Sequence, residues 1–458
     1  MRHIAFISLL FLVAPAGETR QVEARHMENS GLQKQWGSWK SYAVKSVSDL
    51  PISPQQVPED SFGARSDEHG RKSGYFHAQK LNGRWWLVDP LGNLYLSNGV
   101  DSVAPGSSPN TRSALTAKFG NEQTWIDSTH RLLLENGNNS VGAWSDLDLL
   151  RTAQAQRWHA LSYAINLSIM SAYGRRRGGV TNVPGHEAYP EDAVFVFDHA
   201  FESFARSYVA QSIHDASDPN LLGYFSDNEI PLLLKNLDGF LRLPHSDAGY
   251  LAAKKWMNQR HASEPDDKLR AAFLEFEAHR YFSIVGKAIH HADPHHMYLG
   301  CRFYGSQLHQ PELFRAAGAF ADVISINVYN VWQPSQEVMD MWQRESGKPF
   351  LVTEFYVKAE DSGMPNKTGA GWLVHTQKDR GLFYQNFVLS LLQSRSCIGW
   401  HWFKYQDNDP DDPKAELSNR DSNKGIVDNK YRPYADLLQL MQQLNTRIYQ
   451  LTDYLDRK

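Results

Sequence analysis

The chain has 458 residues, enough to bury a core of the size a β/α barrel needs. Its 47 basic and 51 acidic side chains leave a formal net charge of −4, which removes any electrostatic case for a nucleic-acid partner. Aromatic residues make up 12% of the chain, but such rings fill cores as readily as they stack on sugars, so composition alone selects no ligand.

Met1-Arg2-His3, the apolar run 4–13 and Ala14-Pro15-Ala16 have the charged, apolar and small-residue parts of a signal peptide over residues 1–16. A periplasmic or extracellular location is expected. The run is too short to span a membrane, and no later apolar run reaches about 18 residues. Residues 17–74 are polar, with scattered Ser, Pro and Gln, and read as a short irregular N-terminal arm. Residues 85–97 read as two strands around a turn at Pro90 and Gly92-Asn93.

From there, apolar strand-like runs alternate with amphipathic helical stretches, the pattern of a parallel sheet with helical crossovers. The runs cover 94–100, 140–144, 161–168, 221–229, 297–303, 323–329, 350–355 and 397–403. Eight such strands close into a (β/α)8 TIM barrel, an α/β fold, assigned here to residues 75–458. Helices are expected over 122–136, with Gly137 as the stop, and over 266–291, before Asp293-Pro294. Residues 231–250 read as further helices along one wall of a cleft. Cys301 and Cys397 fall on different strands and read as free, buried, small hydrophobes.

In a barrel the working groups lie at the C-terminal ends of the strands. Glu229 closes the fourth run and Glu354 the seventh, on facing sides of the mouth. A carboxylate there is badly solvated unless chemistry uses it. Two of them meet the needs of a retaining glycosidase, one a protonated acid and the other an ionised nucleophile. Asn228 suits a sugar hydroxyl, Tyr329 the orientation of the nucleophile, and Trp402 a stacking floor. Arg302, Asn327, His401, Asp101 and Trp144, at or near other strand ends, complete the candidate sugar site. Trp332, Tyr356 and Trp372 lie in loops as candidate outer subsites.

Several segments together resemble the β-agarases of glycoside hydrolase family 50, within the clan A retaining hydrolases. They are Trp85-Trp86-Leu87-Val88-Asp89-Pro90-Leu91-Gly92-Asn93, Ser97-Asn98-Gly99-Val100-Asp101-Ser102, Gly142-Ala143-Trp144-Ser145-Asp146 and Leu222-Gly223-Tyr224-Phe225-Ser226-Asp227-Asn228-Glu229. Further along come Tyr298-Leu299-Gly300-Cys301-Arg302-Phe303, Asp322-Val323-Ile324-Ser325-Ile326-Asn327, Thr353-Glu354-Phe355 and His401-Trp402-Phe403-Lys404-Tyr405. The resemblance spans about 75–430 in order. It implies Glu229 as acid/base, Glu354 as nucleophile, and a β-linked galactan, agarose foremost, as substrate. Thr353 departs from the glycine expected before the nucleophile.

Arg175-Arg176-Arg177 reads as a solvated basic loop, with the alternative that it reads sulfate groups. That alternative keeps a sulfated, porphyran-like galactan, or another β-linked polymer, beside agarose. The acidic run 407–412 lacks the Gly and Glu of a calcium loop, and the histidines 290, 291, 295 and 296 suit a helix end better than zinc. No metal and no cofactor is expected. The rival from another class is a non-catalytic sugar-binding protein on a decayed barrel. Nothing in the residues speaks to oligomeric state.

Overall fold

Parallel strands covered on both faces are mainly apolar, and most of the runs picked from the sequence have that character. In the computed structural model, which describes residues 20–30, 33–154, 159–183, 186–416 and 418–457, all eight lie in one parallel sheet. The strands are β1 (Ser97–Val100), β2 (Ser140–Val141), β3 (Ser162–Asn166), β4 (Leu221–Phe225), β5 (Met297–Tyr298), β6 (Ile324–Asn327), β7 (Phe350–Phe355) and β8 (Cys397–Trp402). Each neighbours its successor in the chain, and β8 returns to pair with β1 through Gly399 and Ser97. The seam lies between β5 and β6. There Phe303 forms a parallel bridge with Ile326, and its N–H donates to the Ser325 carbonyl at 2.9 Å.

The sheet is curled, and its two faces feed two separate cores. Leu222, Leu299, Leu351 and Ile398 pack inward on one another. Their neighbours Leu221, Tyr224, Phe350, Val352, Cys397 and Trp400 point outward to the helices. Residues 350–352 follow the period of two of a strand, while register shifts before Gly223 and Gly399 put Leu222 and Tyr224, and Ile398 and Trp400, on opposite faces. Cys301 and Cys397 are free and buried.

Helices occur at Glu122–Glu135 and Asp267–Ala292, within a residue or two of the expected bounds. Asn121 and Asp266 cap them, each accepting a backbone N–H. The excursion after β4 holds Asn236–Arg242 and Ala248–Asn258. The hairpin read at 85–97 is present, with Leu87 opposite Tyr95 and Gly92 at φ +99°, where a side chain would be strained. It belongs to a four-stranded antiparallel meander, which lays Phe76, Leu87 and Tyr95 against the inward core.

The signal-peptide segment 1–16 lies outside the described residues. The stretch expected to be irregular is more ordered than its composition suggests. Gln21–Ser30, Gln33–Trp36 and Lys40–Ala43 are strands, and the first pairs antiparallel with Trp372–Val374. Val22 and Ala24 are buried there, and Tyr42 stacks on Trp332 with ring centroids 5.0 Å apart. The order comes from a partner some 350 residues away, which local composition does not reveal.

Candidate active site

The C-terminal ends of the sheet strands open into a cleft of about 650 Å³. Five residues at these ends adopt the left-handed backbone that side chains disfavour. They are Ser102, Trp144, Ser168, Glu229 and Arg302, with φ of +54°, +65°, +53°, +52° and +47°. Such strain persists only where surrounding structure enforces it, and here it collects at one mouth.

Glu229 and Glu354 both line the cleft, in different surroundings. Glu354 is 5% exposed. Its Oε1 accepts from Arg302 Nη2 at 2.6 Å, and its Oε2 accepts from the Tyr329 hydroxyl. Burial raises its pKa, while the charges of Arg302 and Lys424 pull it back down. Among the described residues, Glu229 forms no ion pair. Its Oε1 accepts from Asn327 Nδ2 at 2.7 Å. Burial, and then the charge of Glu354, push it up to about 8. Burial raises both carboxyls, and the cation held against Glu354 favours leaving a shared proton on Glu229.

A small network fixes this difference. The Thr353 hydroxyl donates to Asn327 Oδ1 at 2.7 Å, which turns the Asn327 amide nitrogen toward Glu229 and Asn228. Asp227, beneath Asn228, accepts from the backbone N–H groups of Met170 and Ser171 and from the Tyr281 hydroxyl at 2.6 Å. That anchors the end of β4.

The other expected site residues divide into three groups. Asn228, Tyr329 and Trp144 line the cleft, and Trp144 is 46% exposed, the most open ring there. Arg302 and Asn327 are fully buried and meet the two carboxylates, with the Arg302 guanidinium 5.5 Å from the Trp144 ring. Trp402, His401 and Asp101 lie off the cleft lining. Trp402 is 1% exposed, gives its indole N–H to the Lys424 carbonyl at 2.9 Å and meets Phe355 edge-on, while Phe403 takes the lining position. With His401 inside the sheet and Trp402 toward the helices, alternation along the strand puts Phe403 at the mouth. Inside the sheet, the His401 imidazole nitrogen Nε2 pairs with Ser97 Oγ at 3.0 Å and Nδ1 lies 3.9 Å from Asp101. A Cβ on Gly142 would fall 1.8 Å from Asp101 Oδ1, so only glycine fits beside it.

Of the loop aromatics, Tyr356 lines the cleft. Trp332 and Trp372 are buried against each other and Tyr42. Arg175 pairs with Glu187, and Arg177 with Asp198 and Asp247, so these two guanidiniums are engaged by protein carboxylates. Asp407 is also saturated, accepting from the N–H groups of Lys424 and Gly425 and from Tyr434. The cleft includes groups not singled out in the sequence, among them Tyr304, Phe403, Lys367, Lys404, Lys424 and Glu416. Lys404 lies two residues past the end of β8 and carried a positional signal. Lys424 lies in a loop 22 residues beyond Trp402 and carried none.

No family model matches the chain. Two β-agarases of Vibrio sp. (strain JT0107) are similar in sequence. Beta-agarase B is 23% identical over 91% of this chain and 52% of its own length. Beta-agarase A is 25% identical over 82% of this chain and 46% of its own. The chain spans about half the length of these curated relatives. The crystal structure of BpGH50 superposes with a TM-score of 0.82 at 29% identity, covering 95% of this chain and 96% of that one. The chain resembles glycoside hydrolase family 50. The family-50 likeness therefore extends through sequence and fold together, and the two strand-end glutamates lie inside the region it covers.

Proposed function

We propose that the protein is a retaining glycoside hydrolase that cleaves β-galactosidic linkages in agarose or a related galactan, and that the curled sheet acts as a closed (β/α)8 barrel of clan A type. The observation that carries this reading is the unequal pair at the mouth. Glu229 is held protonated and Glu354 is clamped by a cation and a phenol. The names of the Vibrio relatives support the galactan. The bridged seam at Phe303 and Ile326 supports closure.

The chemistry follows from the pair. Glu354 attacks the anomeric carbon, and Glu229 gives its proton to the departing glycosidic oxygen. The covalent ester removes the charge of Glu354, and with it one of the two causes that raise Glu229. Glu229 then falls toward the usual glutamate range. It becomes a base able to take a proton from water, which releases the sugar with its configuration kept. Arg302 and Tyr329 hold the nucleophile ionised and aimed beforehand, so no reorganisation is needed at attack. No cofactor takes part in this scheme. Residues 1–16 would direct export. Among the described residues, no helix is long and apolar enough to cross a membrane.

The test is product analysis on agarose with the anomer of the first product read by NMR. We expect the β-anomer from the wild-type chain and a loss of kcat of at least 10³-fold in Glu354→Ala and Glu229→Gln. An α-anomer would reject retention. Near-normal turnover in either variant would reject the assignment of the pair.

A further inference from the structure

The cleft carries more positive charge than the two catalytic carboxylates consume. Glu354 is already matched by Arg302 at 2.6 Å, and Glu229 is neutral at neutral pH. What remains is Glu416, on an exposed loop, against the ammonium groups of Lys367, Lys404 and Lys424. The wall is therefore net cationic.

Lys424 is the most informative of the three. It is 4% exposed, yet it lines the cleft. Its ammonium lies 4.4 Å from the centroid of the Tyr356 ring and 5.2 Å from that of Phe403. Among the described residues, no carboxylate lies within ion-pair distance of it. Behind it stands a fourth lysine, Lys358, whose ammonium is held by the Thr368 and Gly369 carbonyls at 3.1 and 3.2 Å. Burial, with the charges of Lys358 and Lys404, drives the Lys424 pKa down. Lys404 reaches Asn408 and is itself lowered to about 8, chiefly by burial. Gathering like charges in a half-dry wall is costly, and aromatic faces offset only part of the cost. A sugar hydroxyl cannot settle such an imbalance. An anion can.

We propose that the wall formed by Lys424, Lys404 and Lys367 is a subsite for an anionic substituent of the galactan, a sulfate ester or a carboxylate. The inference rests on the hydrolase reading above and names the substrate class of the same cleft. The basic loop at Arg175–Arg177 is not needed for it, since Arg175 and Arg177 pair with carboxylates. The three lysines share one cleft lining with both glutamates, so the anionic group lies on a sugar held in that same cleft.

The experiment uses the full chain carrying Glu229→Gln, so that ligands survive. Calorimetry compares size-matched galactan oligosaccharides that are neutral, sulfated or carboxylated, at low and at high salt. We expect the anionic ligands to bind at least tenfold tighter at low salt, with the advantage shrinking as salt rises. Adding Lys424→Met should remove it while leaving the melting temperature near that of the parent. If Lys424→Met unfolds the chain, the exposed Lys367→Gln and the half-buried Lys404→Gln should each cut the advantage severalfold. Preference for the sulfated ligand alone supports the proposal and makes sulfate the source. Preference for the carboxylated ligand alone does the same for the carboxylate. Equal or weaker binding of both anionic ligands overturns it and leaves the hydrolase reading intact. An advantage that survives all three lysine substitutions overturns it too. Failure of every galactan to bind, with no turnover by the wild type, overturns both.

Discussion

Glu229 and Glu354 differ only in what surrounds them, and the surroundings make testable statements about pH. Glu229 must be protonated to act as acid, and it is raised to about 8. The proposed reaction should therefore lose kcat/KM as pH rises through about 8. Asn327 donates to the Glu229 carboxylate, and so favours its charged form. Asn327→Ala removes that donor, raises the pKa further, and should move the alkaline limb to higher pH. A pH profile of kcat/KM on both proteins checks this, and a limb that moves to lower pH contradicts the role given to Asn327. At this scale much of the site could be read from the residues. Asn228, Tyr329 and Trp144 reach the cleft, and Arg302 and Asn327 reach the carboxylates. Trp402 turns to the helices and Phe403 to the cleft, which alternation gives once His401 is known to face the inside of the sheet, and the residues alone do not say which face His401 takes. Thr353 departs from the expected glycine, yet its hydroxyl orients the Asn327 amide.

The eight sheet strands were all legible as mainly apolar runs, because strands buried on both faces carry few polar positions, and those present, such as Ser97, Asn98 and Ser140, are short-chained and buried. The N-terminal strands were not. Gln21–Ser30 buries only alternate small residues, and its partners are Lys40–Ala43 on one side and Trp372–Val374 on the other. Ala24 lies between them, opposite both Lys40 and Val374, and is fully buried. Proline there would remove a backbone donor from the middle of a sheet. We expect Ala24→Pro to destabilise the protein by about 3 kcal/mol, seen as a lower midpoint in urea. An unchanged midpoint would mean that this strand contributes nothing to stability.

Across the whole molecule, the two ends of the sheet are closed by different parts of the chain. The floor is held by the last helix, Ile448–Asp456. Buried Arg84 pairs with Asp456 at 2.7 Å, Arg65 with Asp453 at 2.6 Å, and Trp86 stacks on Tyr449. The mouth is buttressed by the first strand, through Trp372–Val374. That segment pairs in parallel with Val357–Ala359, the stretch bearing Lys358, and the loop between them carries Lys367 and Thr368.

The buttress has a consequence for the order of events in folding. Pairing Ala24 with Val374 closes a loop through most of the chain, at an entropic cost of roughly 5 kcal/mol that no neighbouring residues repay in advance. The eight sheet strands pair with chain neighbours and need no such wait, apart from the joint between β8 and β1. The lysine wall is therefore expected to mature last. After dilution from urea, tryptophan fluorescence should recover before galactan binding does, and simultaneous recovery would place the first strand in the early nucleus instead. A young molecule would then possess its two glutamates before it possesses the surface that selects what they cut.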